Sequence, residues 1–152
     1  MISTLRIYQL TPADLSLLRQ LNALFAEAFH DADSYAAAPA GDGYLADVLS
    51  RSHVIVLVGL QDDIVIGGLV AYELPKLEQA RSEIYIYDLA VADNFRRQGV
   101  ATRLLEQLRR LARQRGAWVV FIQADYGDDA AIGLYTKLGV REDVLHFDLP
   151  VP

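Results

Sequence analysis

The sequence predicts an α/β protein of the mixed α+β type: one central, mixed, twisted sheet flanked by helices. Three observations carry this. Runs rich in valine, isoleucine and tyrosine recur along the chain. Between them lie stretches with a 3.6-residue apolar period. Glycines, prolines and aspartates punctuate the joins. The order reads β-α-α-β-β-β-α-β-α-β within a single domain, 1–152, long enough for a sizeable core.

Each element has a local reason. "LRIYQL", Leu5 to Leu10, alternates weakly and reads as an edge strand. A helix follows, with Thr11 as its cap, Pro12 in its first turn, Asp14 three residues after the cap, and Leu15, Leu18, Leu21, Leu24 and Phe25 as its apolar face. The polar, glycine-containing stretch to Gly43 reads as a loop, and "YLADVLSR" as a short helix. Two β-rich runs around Gln61-Asp62-Asp63 predict a hairpin, and Ser82 to Val91 a third long strand. A helix runs from Gly99 to about Arg115, with Ala101, Leu104, Leu105, Leu108, Leu111 and Ala112 on one face, and Gly116 stops it. "AWVVFIQA" is continuously apolar, as an inner strand would be. Asp128 or Asp129 caps a helix through Leu138, and "VLHFDLP" is the closing strand.

Composition narrows the chemistry. The chain has no cysteine, which excludes disulfides, thiolate ligands and a cysteine nucleophile. His30, His53 and His146 are far apart, so no metal site is expected. No apolar run is long enough to span a membrane, and the start "MISTLRIYQLTP" lacks signal-peptide character, so a cytoplasmic protein without a membrane partner is expected. Net charge is −6, yet residues 96–115 hold seven of the 14 basic residues and one acid. From Gln20 to Ser50 there is no Lys or Arg but five acids. That division suits an anion at the basic patch and a cation at the acidic part. Nucleic acid is disfavoured, because the basic helix stands alone on an acidic chain.

The stretch Leu89-Ala90-Val91 ends a strand, and "RRQGVA", Arg96 to Ala101, opens a helix. Helix-start amides lack intrahelical partners, Gly99 lets a ligand approach the main chain, and Arg96 and Arg97 offer donors fitted to phosphate oxygens. Together with Gln98, Val100, Ala101 and Thr102 they form a candidate pyrophosphate cradle. Neither G-x-G-x-x-G nor a P-loop is present.

"RRQGVA" resembles the acetyl-CoA signature of the GNAT acyltransferase superfamily, [Q/R]-x-x-G-x-[G/A]. "AAIGLYTKLG", Ala130 to Gly139, resembles its second signature. "YELPKLEQARSEIYIYDLAV" and "QADYGDDAAIGLYTKLGVREDVLHFDL" are similar to type I aminoglycoside 3-N-acetyltransferases, the gentamicin-modifying branch. The resemblance covers nearly the whole chain. One departure is Asp128, where the superfamily normally has asparagine. The resemblance implies a GNAT fold, a bacterial host, and direct acetyl transfer from acetyl-CoA to the 3-amine of the 2-deoxystreptamine ring. It also implies that Tyr135 assists the leaving thiolate and adjoins the cofactor, that Leu89 to Val91 bond the pantetheine arm, and that a homodimer forms. A splayed strand pair, Leu89 against Phe121, would admit that arm. The alternative is a GNAT enzyme for another small polyamine, metabolite or peptide amine.

Amine attack needs a base. Asp88 interrupts an apolar run, so its desolvation must be offset by pairing or function. It is the first choice, with Glu83 and Asp125 next. A polycationic drug wants carboxylates, and Asp125, Asp128 and Asp129 supply them, with Tyr126 able to stack on a sugar face. Asp31 and Asp33 lie in the loop after the first helix, where the resemblance implies a lid; read alone, each is a solvated loop acid.

Overall fold

The computed structural model describes residues 4–152. The chain divides into two compact units after Ile122. The first contains a five-stranded sheet in the order β1-β2-β3-β4-β5, made of Arg6–Gln9, Val54–Gln61, Ile64–Pro75, Ser82–Val91 and Ala117–Ile122. The first four strands pair antiparallel and β5 runs parallel to β4, so the sheet is mixed, as expected. The helices of this unit are α1 (Leu15–Ala28), α2 (Ala32–Tyr35), α3 (Asp42–Ser50) and α4 (Val100–Arg115), with a 3-10 turn at Asp93–Phe95. The second unit contains α5 (Asp129–Leu138) and an irregular tail.

Local chemistry sets the joins. The β2–β3 hairpin turns on Asp62 and Asp63, both with positive φ, at 50° and 62°. Two such residues make a turn whose twist matches that of paired strands, and aspartate tolerates this region better than bulkier side chains. Helix α4 lies between two left-handed glycines, Gly99 and Gly116. Its buried face is Val100, Leu104, Leu105, Leu108 and Ala112.

The two sheet faces carry different helices. Val54, Val56, Val58, Val70, Tyr72 and Ala90 pack with Leu18, Leu21 and Phe25 of α1 and Leu45 of α3. Helix α1 comes so close at Gly68 that a Cβ there would lie 2.5 Å from Leu21 Cδ1 and 2.8 Å from the Leu57 carbonyl oxygen. The opposite face holds Gly67, and α4 approaches it: a Cβ at Gly67 would stand 3.1 Å from Val100 Cγ1.

Three sequence readings need correction. Thr11 does not cap α1. The helix starts at Leu15, and the Asp14 carboxylate accepts from the Thr11 amide (2.7 Å), the Thr11 hydroxyl (2.9 Å) and the Tyr8 hydroxyl (2.8 Å). A carboxylate accepting three donors holds residues 11–14 as a turn ahead of the helix. The segment 144–150 is not a strand: Val144, Leu145, Phe147 and Leu149 are exposed, and no backbone ladder forms there. Alternating apolarity alone does not make a strand, because the amides and carbonyls need a partner ladder. β5 is correspondingly the last strand of the sheet rather than an inner one.

Candidate active site

A bulge in β4 aims the central carboxylate. Val70 pairs with Asp88, but Ala71 pairs with Ile86, so Tyr87 is an extra residue. Side chains alternate along a strand, and one inserted residue reverses their phase. Without the insertion Asp88 would share a face with Ile84 and Ile86, both buried. With it, Asp88 joins Val70, Tyr72 and Tyr85 on the α1–α3 face. The adjacent pair Tyr87-Asp88 in an otherwise alternating strand is the sequence trace of this device.

Asp88 has one hydrogen-bond donor among the described residues. The Tyr35 hydroxyl, at the end of α2, donates to Asp88 Oδ1 at 2.7 Å. Burial pushes the Asp88 carboxyl above its usual range, and the Tyr35 bond partly opposes that shift. Tyr35 is itself held protonated, first by burial and then by the Asp88 bond and charge. Its ring is fixed by Phe25 and Phe29, with centroids 5.8 and 5.5 Å away. A partly buried carboxylate with a raised pKa suits a general base better than an ordinary surface carboxylate does.

Tyrosines surround this carboxylate. Tyr87 meets Tyr72 and Tyr85 edge-on, with centroids at 6.2 and 5.8 Å, and Tyr85 stacks on Phe121 at 4.8 Å. Burial, then neighbouring negative charge including that of Asp88, raises the pKa of Tyr72; burial, then Tyr87 and Asp88, does so for Tyr85. These phenols and Tyr35 did not emerge as site residues from sequence, because only the bulge and the α2 contact bring them to Asp88. Glu83 lies further back on β4. Its carboxylate accepts from Trp118 Nε1 at 3.1 Å and is 4.0 Å from Lys76 Nζ.

Strand β4 outruns β5. Their ladder ends at Ile86 and Ile122, while β4 continues to Val91. Phe121 therefore faces Tyr85 and not Leu89, and the stretch that contains Leu89, Ala90 and Val91 has no β5 partner. This stretch leads through the 3-10 turn to the mouth of α4. There Arg97 (φ 61°) and Gly99 (φ 82°) are both left-handed. Arg96 reaches Asp93 at 3.3 Å and the Val91 carbonyl at 3.5 Å, and Gln98 donates to the Asn94 carbonyl at 3.3 Å. These two side chains brace the turn, and Arg97 makes no ion pair among the described residues. A Cβ on Gly99 would meet no atom within 4 Å, so the main chain there is open to an incoming group. The amides of Val100, Ala101 and Thr102 precede the first intrahelical bond, in which the Arg103 amide donates to the Gly99 carbonyl at 3.0 Å. Left-handed turns before a helix mouth favour anions. A pyrophosphate is one anion for which this arrangement has suitable donors.

In the second unit, Asp128 caps α5 by accepting from the Ala131 amide at 3.2 Å. The Asp125 carbonyl accepts from the Asp128 amide, and Asp129 occupies the first helical turn. Tyr126 lies beneath Arg141, whose guanidinium carbon is 6.0 Å from the ring centre. Burial, and then the Asp128 charge, raises the Tyr135 hydroxyl to about 12.

Residues 16–140 match the Acetyltransferase (GNAT) family. The chain belongs to the GNAT acetyltransferase family. This GNAT enzyme has 49% identity and a TM-score of 0.95 to aminoglycoside acetyltransferase HMB0005 from an uncultured soil metagenomic sample, covering 97% of this chain and 99% of that one. A second soil-metagenome aminoglycoside acetyltransferase, meta-AAC0020, solved in complex with sisomicin, is 30% identical with a TM-score of 0.91 over 98% and 97% of the two chains. Among curated proteins, the probable N-acetyltransferase camello of Xenopus laevis is 33% identical over 69 residues, 45% of this chain and 32% of that protein. The GNAT chain thus spans about a third of that relative's length. The GNAT fold implies use of acetyl-CoA. No helix among the described residues is long and apolar enough to cross a membrane.

Proposed function

We propose that this GNAT acetyltransferase acetylates the 3-amine of the 2-deoxystreptamine ring of gentamicin-type aminoglycosides. The observation that carries the reading is Asp88: a half-buried carboxylate, turned by a bulge to the tyrosine-rich face, on the strand that leads to the α4 mouth. Similarity along the full chain to HMB0005 and to the sisomicin-complexed meta-AAC0020 supports the substrate class. The acidic, Lys- and Arg-free stretch from Gln20 to Ser50 suits a polycation.

Bound acetyl-CoA supplies an activated thioester. Asp88 takes the proton that the amine loses as its nitrogen bonds to the acetyl carbon. Tyr135, protonated well above neutral pH, gives its proton to the sulfur as the carbon–sulfur bond breaks. The β4 main chain from Leu89 to Val91 bonds the pantetheine arm, and Arg97 with the amides from Gly99 to Thr102 holds the pyrophosphate. Asp125, Asp128 and Asp129 attract the drug's remaining ammonium groups.

The test is thiol release from acetyl-CoA with gentamicin, sisomicin, spermidine and an amino-terminal peptide, followed by NMR of the product. Fastest release with the aminoglycosides and a single acetyl on the 3-amine are expected. Acetyl on another amine removes the regiochemical assignment, and preference for spermidine or peptide removes the substrate class.

A further inference from the structure

Charge balance around Asp88 points to a recognition element beyond the carboxylates. The influences on the Asp88 carboxyl are burial and one phenol; no arginine or lysine is among them. The same holds for Tyr35 and Tyr72, whose influences are burial, Asp88 and other acidic or phenolic groups. A partly desolvated carboxylate without a cationic partner is costly, and a cation brought by a ligand would offset that cost.

Three aromatic rings among the described residues are covered by the protein's own arginines. Arg6 lies over Tyr8 at 5.4 Å, Arg81 over Trp118 at 4.2 Å, and Arg141 over Tyr126 at 6.0 Å. Among the described residues no such cation sits over Tyr72 or Tyr87. Tyr87 is 62% exposed; it is the inserted residue of β4, just past the end of the β4–β5 ladder, and meets Tyr72 and Tyr85 edge-on. At this exposure much of the Tyr87 ring is open to an incoming group, and aromatic ring faces carry negative electrostatic potential.

We infer that Tyr87 and Tyr72 form an aromatic wall that binds an ammonium group of the polycationic substrate through the ring faces, next to the amine served by Asp88. This rests on the proposed function, and it adds two specificity-determining residues. The bulge then has two effects from one inserted residue: it turns Asp88 to this face and presents Tyr87 beside it. Cation–π attraction needs the ring and not the hydroxyl, which separates it from hydrogen bonding.

The experiment compares parent, Tyr87→Phe and Tyr87→Leu by calorimetric titration with gentamicin and with spermidine, and by steady-state kinetics with gentamicin and acetyl-CoA. Thermal melts establish that each variant is folded. Tyr87→Leu is expected to weaken gentamicin binding and raise its KM by about tenfold. Tyr87→Phe should stay within about twofold of the parent, because the ring face persists. The KM for acetyl-CoA should not move in either. Unchanged gentamicin affinity in Tyr87→Leu overturns the wall. So does a loss in Tyr87→Phe equal to that in Tyr87→Leu, which would assign binding to the hydroxyl. If the drug binds the parent in this ring-dependent way yet no thiol is released, the wall stands and the functional reading fails.

Discussion

Tyr35 and Asp88 stand 53 positions apart in sequence and meet through a 2.7 Å hydrogen bond in which the phenol donates to Oδ1. The bond ties α2 to the bulged strand β4. It also opposes the rise that burial gives the Asp88 carboxyl pKa. A base works only when deprotonated, so turnover falls as pH drops through the Asp88 pKa. Tyr35→Phe removes the opposing influence and moves that pKa further up. The acidic limb of the kcat profile should therefore shift to higher pH, with the rate near the alkaline plateau little changed. Rate profiles from pH 5 to 9 check this, and an unmoved acidic limb would show that Tyr35 only packs.

At the opposite end of the sheet, Glu73 accepts from Ser82 Oγ at 2.7 Å and from Arg115 Nη1 at 2.9 Å. Burial pulls the Glu73 carboxyl up, but these donors outweigh it and hold the carboxyl below its ordinary 4.5. A depressed carboxyl contributes stability above its unfolded pKa and loses it as pH falls through the folded value. Arg115→Met should cost about 2 kcal/mol at pH 7, by loss of a charged hydrogen bond. The difference from the parent should shrink below about pH 4. Urea denaturation at pH 7 and pH 3.5 measures both.

Gly99 tests the mouth of α4. Its φ of 82° strains any side chain, but a Cβ would meet no protein atom within 4 Å. Gly99→Val should remain folded, with a stability loss of about 1–3 kcal/mol from the left-handed backbone. It should weaken acetyl-CoA binding by tenfold or more, as an estimate of roughly 1.4 kcal/mol or above for losing close main-chain approach. Calorimetry giving parent affinity in a folded variant would move the pyrophosphate elsewhere.

Much of the fold was legible because its cues are local. Paired aspartates at 62 and 63 marked a tight turn, and flanking glycines bounded α4. The left-handed turn at the mouth of α4 was legible for the same reason, since Arg96 to Thr102 are contiguous. The acid nest around Asp14 was not legible: Thr11 has the chemistry of a cap, and the competing Tyr8 donor comes from the preceding strand. Nor was the setting of Asp88. Its position in an apolar run singled it out, but its face depends on one inserted residue and its partner on a contact across the chain. For the tail, alternation suggested a strand, yet pairing is a property of two segments and not of one.

Tyr135 separates two roles for a phenol. With its hydroxyl raised to about 12, it stays protonated over the working range and can donate to a departing thiolate. Tyr135→Phe should keep acetyl-CoA affinity and lower kcat by about 10²-fold. Single-turnover kinetics alongside cofactor titration measure both, and parent turnover would make the ring structural.

The most direct test of the account is turnover at saturating gentamicin in Asp88→Asn. The amide keeps the shape and can still accept from Tyr35, but it cannot take the amine proton. With Asp88 as the base, kcat falls by about 10²- to 10⁴-fold at pH 7, the usual contribution of a general base, and acetyl-CoA binding is unchanged. A folded Asp88→Asn with the kcat of the parent would contradict it and transfer the base to another carboxylate.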